Sequence, residues 1–429
     1  MNNINEIYLL ALKRELKPVM GCTEPASAAL TGALSRELLG GKPEKVMVYA
    51  SRDMIKNVMG VGIPHSSYTG LASAVLLGVL YGATSQGLNI LSQISDGSHQ
   101  EIISYIENNN IQVVLAPEVP SIYVKVLCEL ENMSASVTIA NEHDMVVEKV
   151  KDGRVLVKEG MSNDLSHIDP YNMNQWSLKS IYDAVQSFSF DDCGYLMDMA
   201  AYNKTIGLAG LEKPYGLHVG LIAQNGSQKE IKNIEDVYQY AAALSAAASD
   251  ARMSGSIHPV VINSGSGNQG ITAFLPPLIL GEFLQVSDES LMRALALSNL
   301  VAIYLAHFKG RLSALCGAFT AAIGASCAYV YLSGGNVDQI ESVINLMIAN
   351  LSGMICDGAK KTCALKIYSC VNAASLSAKL ALNGNSIEEG IGIISGNVST
   401  TLQNLKKICI EGMEGTDKTI LSIMLNSHS

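Results

Sequence analysis

Nine cysteines stand in this 429-residue chain, and three of them raise the first chemical question. Cys356 and Cys363 form a C-x6-C pair within GMICDGAKKTCALK, and Cys316 sits upstream in SALCGAF. None belongs to a tight C-x2-C pair, so the spacing does not suit a zinc finger. Three thiolates gathered by helical segments suit an iron–sulfur cluster with one iron left open. Four-cysteine clusters are usually electron carriers, whereas an open metal position acts as a Lewis acid on a substrate. The plainer alternative is that these are small buried hydrophobes, as free cysteines often are. By position alone, Cys327 and Cys370 are equally available.

Three further segments carry candidate chemistry. In GCTEPA, residues 21–26, Cys22 directly precedes a helix. Exposed amides and the helix dipole stabilise a thiolate there, which makes Cys22 a candidate base or nucleophile. A buried cysteine beside a glycine turn is the competing reading. SGSGNQGI, residues 264–271, leads into an apolar helix. Small residues before a helix present backbone N–H groups to an anion. The segment lacks the lysine and spacing of a P-loop and has no βαβ context. A carboxylate therefore suits it better than a phosphate, with Ser266, Asn268 and Gln269 as substrate-binding candidates. Its competing reading is a glycine-rich connector. Finally, His65 follows a proline in GIPHSSYTG and is available to orient or protonate a substrate, although a lone loop histidine is more often a solvated one. No H-E-x-x-H or G-x-S-x-G motif accompanies it.

Composition narrows the function classes. The net charge is -10 and no Lys/Arg block stands out, so nucleic-acid binding has no electrostatic footprint. The N-terminal MNNINEIYLLALKRELKPVMG does not read as a signal peptide, and a cytoplasmic protein is expected. In that reducing compartment the cysteines do not form a disulfide framework. Mean hydropathy is +0.23, and residues 254–280 and 312–337 carry no Asp, Glu, Lys or Arg. Both are long enough to span a bilayer. However, Gly, Ser, Asn, Gln and paired prolines interrupt the first, and the second is rich in Gly, Ala and Ser. Aromatic belts and a charge bias between loops are missing, so these read as buried helices of a soluble protein without a membrane. A homodimer is the default oligomeric expectation.

The elements that must position these residues fall into two groups. An amphipathic helix is predicted at 4–17 and a second from Thr23 to about Leu39, with Thr23 available as its cap, Pro25 in its first turn and Gly40-Gly41 at its end. A strand at 46–50 and a helix at 68–80 follow. Between 111 and 157, β-branched runs alternate with turns at 141–144 and Asp152-Gly153. This pattern predicts an α+β module with a mostly antiparallel sheet over residues 1–165. From 177 onward strand signals nearly vanish. Helices are expected at 177–187, 193–206, 234–250, 288–306, 317–332, 336–354, 362–381 and 386–407. Residues 166–429 thus read as a large all-α catalytic domain.

Taken together, GCTEPA, HSSYTG, SGSGNQGI and CDGAKKTC resemble the L-cysteine desulfidase family, related to iron–sulfur L-serine dehydratases that lack pyridoxal phosphate. The resemblance runs over essentially the whole chain. It implies a [4Fe-4S] cluster held by Cys316, Cys356 and Cys363. Gly358 stands where the dehydratases carry proline, and the spacing to the last cysteine is shorter. The resemblance also matches Cys22 to the proposed base and Asn268 to a carboxylate ligand. The implied substrate is a small amino acid. L-Cysteine would be cleaved to sulfide, pyruvate and ammonia, with L-serine dehydration as the alternative.

Overall fold

The computed structural model describes residues 4–66, 68–94, 100–159, 171–224, 231–310 and 313–426. Strand β1 spans Lys17–Met20, β2 Lys45–Ala50, β3 Ile111–Leu115, β4 Tyr123–Leu130, β5 Met133–Ala140, β6 Val146–Lys151, β7 Arg154–Lys158 and β8 Pro259–Ile262. Six of them form one sheet in the order β3-β2-β4-β5-β6-β7. Only the β2–β3 pair is parallel. Alternation decides which side is covered: Val46, Val48, Val124, Val126, Cys128, Ala135 and Ile139 are buried in one core with the helices Thr23–Leu39 and Leu71–Tyr81. Each valine or isoleucine among them contributes about 1.5–3 kcal/mol on burial. The two helices cross closely because glycines meet backbone there. A Cβ on Gly78 would sit 1.8 Å from the Ala29 carbonyl oxygen, and one on Gly32 would sit 2.7 Å from that of Val75.

The C-terminal part is helical, as its periodicity predicts. Helices Leu178–Ser187, Tyr195–Glu212, Ile234–Met253, Asp288–Lys309, Gly317–Leu332, Val337–Leu351 and Cys363–Leu382 lie close to the expected bounds. The stretch 386–407 does not form one helix. Left-handed turns at Gly390 and Gly392 occupy its first half, and helix Val398–Lys407 starts only where Asn397 accepts from the Thr400 amide. Conversely, Pro276 and Pro277 do not interrupt the chain. They lie inside one continuous helix, Gly267–Leu284. A proline removes the donor for the carbonyl four residues back. The Ser298 hydroxyl replaces it at Ala273, at 2.7 Å.

The two ends of the chain tie the parts together. The first helix, Ile4–Glu15, packs into the helical core, where Tyr8 meets Trp176 edge-on at 4.6 Å. Strand β1 then pairs antiparallel with β8. At the other end, the helix Glu414–Asn426 returns to the sheet module and places Leu421 in its core. The expected boundary near residue 165 lies outside the described residues. Among the described residues one helix, Asp288–Lys309, is long and apolar enough to cross a membrane, and 89% of its most apolar window is buried within the protein.

Candidate active site

Cys316, Cys356 and Cys363 line a single cavity at the junction of the two parts. Cys316 is the N-cap of helix Gly317–Leu332, and Cys363 is the first residue of helix Cys363–Leu382. The chain around Cys316 and around Cys356 forms an isolated antiparallel bridge. The Cys316 amide donates to the Met354 carbonyl at 2.9 Å and the Cys356 amide to the Ala314 carbonyl at 2.6 Å. The Cys316 thiol donates to the Cys356 sulfur. That bond holds Cys356 well below the ordinary thiol range, with help from the charges of Lys56 and Lys309, and holds Cys316 above it. Cys363 Sγ accepts from the Lys360 amide at 3.4 Å. The loop between them turns at Gly358, whose φ is 95° and where a Cβ would sit 2.4 Å from the Lys56 carbonyl oxygen. Cys327 and Cys370 are fully buried in the helical core and do not line the cavity.

The GCTEPA turn approaches from the sheet module. Cys22, not Thr23, is the N-cap of helix Thr23–Leu39, and its side chain makes no cap hydrogen bond. Its thiol is buried with Val61 and Met253, and Cys363 packs against this group. Helix-end position alone predicts a depressed thiol pKa. Instead, burial pushes Cys22 up to about 12, against the lowering effect of Arg252. Desolvation outweighs the helix end because no water reaches the sulfur. His65 adopts a left-handed conformation, φ 58°, and neither His65 nor Cys22 is among the side chains lining the cavity.

The SGSGNQGI segment meets the GCTEPA turn directly, the Thr23 hydroxyl donating to the Gly265 carbonyl at 2.7 Å. Ser264 and Gly265 take left-handed φ values of 50° and 82°, and Ser266 caps helix Gly267–Leu284 by accepting from the Gln269 amide. Ser266, Asn268 and Gln269 all line the cavity. The Ser249 hydroxyl donates to Asn268 Oδ1 at 3.2 Å. Gly270 fits only as glycine, since a Cβ would meet the Val261 carbonyl oxygen at 1.8 Å.

Several lining residues escape sequence reasoning: Glu24, Lys56, Asn57, His143, Arg252 and Lys309. Glu24 stood inside a motif already singled out. His143 stood in a hairpin turn that reads only as a turn. Lys56 is buried and ion-paired to Asp417 at 2.5 Å and to Asp53 at 3.2 Å. Burial opposes its charge, but these carboxylates outweigh it and keep its pKa above the usual value. Lys309 ends an apolar helix, ordinarily a solvated place. Here it is 3% exposed, and burial lowers its pKa.

Among the described residues no group of three His, Cys, Asp or Glu side chains lies close enough to hold one metal ion. The three cysteines that line the cavity are soft sulfur donors of the kind that hold iron–sulfur clusters, and Lys56 and Lys309 line it beside them.

The family model described as serine dehydratase alpha chain matches residues 131–422. That span holds Arg252, the 264–271 segment and all three cavity cysteines, and leaves out Cys22, Glu24 and Lys56. A UPF0597 protein of Parabacteroides distasonis is 38% identical over 414 residues, 96% of each chain. One of Aeromonas hydrophila is 37% identical over 418 residues, 97% of this chain and 95% of its own. One of Clostridium perfringens is 38% identical over 426 residues, 98% of each. The chain therefore belongs to the UPF0597 family and carries a serine dehydratase alpha chain domain.

Proposed function

We propose that this protein is an iron–sulfur-dependent, pyridoxal-independent lyase that eliminates sulfide from L-cysteine. The observation carrying this reading is the convergence of Cys316, Cys356 and Cys363 on one buried cavity facing the Asn268 segment. A [4Fe-4S] cluster bound there supplies a Lewis-acidic iron with an affinity for soft sulfur at the substrate's β-position. The chain's own residues bind and orient. Asn268, whose Nδ2 has only the weak Met253 Sδ acceptor at 3.7 Å, would exchange it for the α-carboxylate beside Ser266 and Gln269 and so fix the Cα–H bond for removal. Cys22 is the candidate to take that proton. As a resting thiol it must first lose its own, and Arg252 is the neighbouring charge that favours the loss. Cys22 and His65 both lie just outside the cavity lining, Cys22 against Cys363, which does line it, and His65 remains the candidate to donate to the leaving group.

Removal of the Cα proton with departure of the β-sulfur leaves an enamine. It tautomerises and takes up water to give pyruvate and ammonia. The alternative, L-serine dehydration, follows the same path with water as leaving group, and the serine dehydratase alpha chain match favours it. Anaerobic reconstitution followed by competition between equal L-cysteine and L-serine decides between them. We expect sulfide release with the higher kcat/KM for cysteine. Faster serine consumption with no sulfide from cysteine gives the function to the dehydratase.

A further inference from the structure

Arg252 and Glu24 are opposite charges buried in one cavity that do not close on each other. Arg252 is 3% exposed and Glu24 8%, and both line the cavity. Arg252 Nε donates to the Gly21 carbonyl at 3.3 Å. Its guanidinium rests on Gly267, where a Cβ would sit 2.3 Å from Nε and 2.8 Å from Cζ. Among the described residues Arg252 forms no ion pair, and it lines the cavity. A buried guanidinium without a counterion is costly, and its fork matches a carboxylate. Glu24 is held on its own side. Asn57 Nδ2 donates to its Oε1 at 3.0 Å. The neighbouring Thr23 hydroxyl, 3.1 Å from Glu24 Oε2, gives its one proton to the Gly265 carbonyl at 2.7 Å, which ties the Glu24 turn to the Asn268 segment.

We propose that Arg252 and Glu24 form a split clamp for the zwitterionic head of an α-amino acid. Arg252 takes the α-carboxylate beside Asn268, and Glu24 takes the α-ammonium. Two fixed charges of opposite sign, kept apart by separate hydrogen-bond partners, suit a ligand that carries both signs on neighbouring atoms. The clamp also makes the site read the head group, leaving the β-substituent to the cysteine side of the cavity. It rests on the lyase reading for the identity of the ligand, and extends it to the residues that would select α-amino acids over simple thiols or acids.

The test uses anaerobically reconstituted holoenzyme and two half-ligands. 3-Mercaptopropionate has the carboxylate without the ammonium, and cysteamine the reverse. Their dissociation constants are measured by calorimetry for wild type, Glu24→Gln and Arg252→Gln, alongside iron content and KM for L-cysteine and L-serine. Glu24→Gln is expected to weaken cysteamine about 10- to 100-fold and leave 3-mercaptopropionate unchanged; Arg252→Gln is expected to do the opposite. Both should raise KM for the amino acids with iron content retained. If Arg252→Gln loses iron, Arg252→Lys keeps the charge without the fork and should show the same selective loss in smaller measure. Equal weakening of both half-ligands by both variants, or no weakening, overturns the clamp. The crossed pattern with serine turnover and no sulfide overturns the desulfidase reading and upholds the clamp. Sulfide release without the crossed pattern does the reverse.

Discussion

Cys316 and Cys356, distant in sequence, are held side by side by two reciprocal backbone hydrogen bonds. The amide of each donates to the residue two before the other, at 2.9 Å from Cys316 to Met354 and at 2.6 Å from Cys356 to Ala314. The separation of their main chains is therefore fixed by these bonds, and both side chains line one cavity. Cys363 completes the set from the start of the next helix.

Replacing any of these three by alanine should reduce bound iron. Wild-type protein prepared without oxygen should be brown, hold about four irons per chain and bleach in air. Iron analysis of Cys316→Ala, Cys356→Ala and Cys363→Ala checks the assignment. Full iron in all three transfers the ligand role elsewhere, with Cys327 and Cys370 the next to replace.

Cys22→Ser should keep its iron and lose turnover. A hydroxyl is a far weaker acid than even a thiol whose pKa burial has pushed up to about 12, so it cannot replace the base at neutral pH. Near-normal rates in this variant remove Cys22 from proton transfer, and missing iron makes it a cluster ligand.

Asn268→Ala should weaken L-cysteine and L-serine turnover by similar factors, equivalent to about 1–3 kcal/mol, because both substrates carry the same carboxylate. Steady-state kinetics with both substrates measures it. A loss confined to one substrate places Asn268 at the β-substituent instead.

Asp417→Asn should destabilise the fold while leaving every cavity cysteine in place. It removes one of two carboxylates from the buried Lys56 ammonium and loosens the C-terminal helix that carries Leu421 into the sheet core. A loss of about 2–3 kcal/mol is expected, below the roughly 3–5 of a fully broken buried pair because Asp53 remains. Denaturant unfolding checks it, and an unchanged midpoint shows that Asp53 alone satisfies Lys56.

Much of the architecture was legible in the residues because it is local. Alternation of β-branched side chains marked β3 to β7. Glycine at residue 40, with φ 89°, stopped the helix Thr23–Leu39 as expected. The apolar helix expected after SGSGNQGI runs on through both prolines, and Ser298, a residue on another helix, supplies the donor that Pro277 lacks. The 386–407 stretch misled because propensity does not report where a cap and two left-handed glycines break a run.

For the site, the sequence by itself determined which segments carry reactive groups: GCTEPA, SGSGNQGI, SALCGAF and CDGAKKTC. Residue type and the turns around them are short-range properties, readable in order along the chain. Only the tertiary structure decided which groups share a cavity, and with what charge. It placed Cys327 and Cys370 in the core and brought His143 and Lys56 in from the sheet module. It also left Arg252 and Glu24 buried without closing on each other. Burial then reversed the expected acidity of Cys22. Those outcomes depend on desolvation and on contacts between residues far apart in sequence, and helix-end position or residue spacing carries neither.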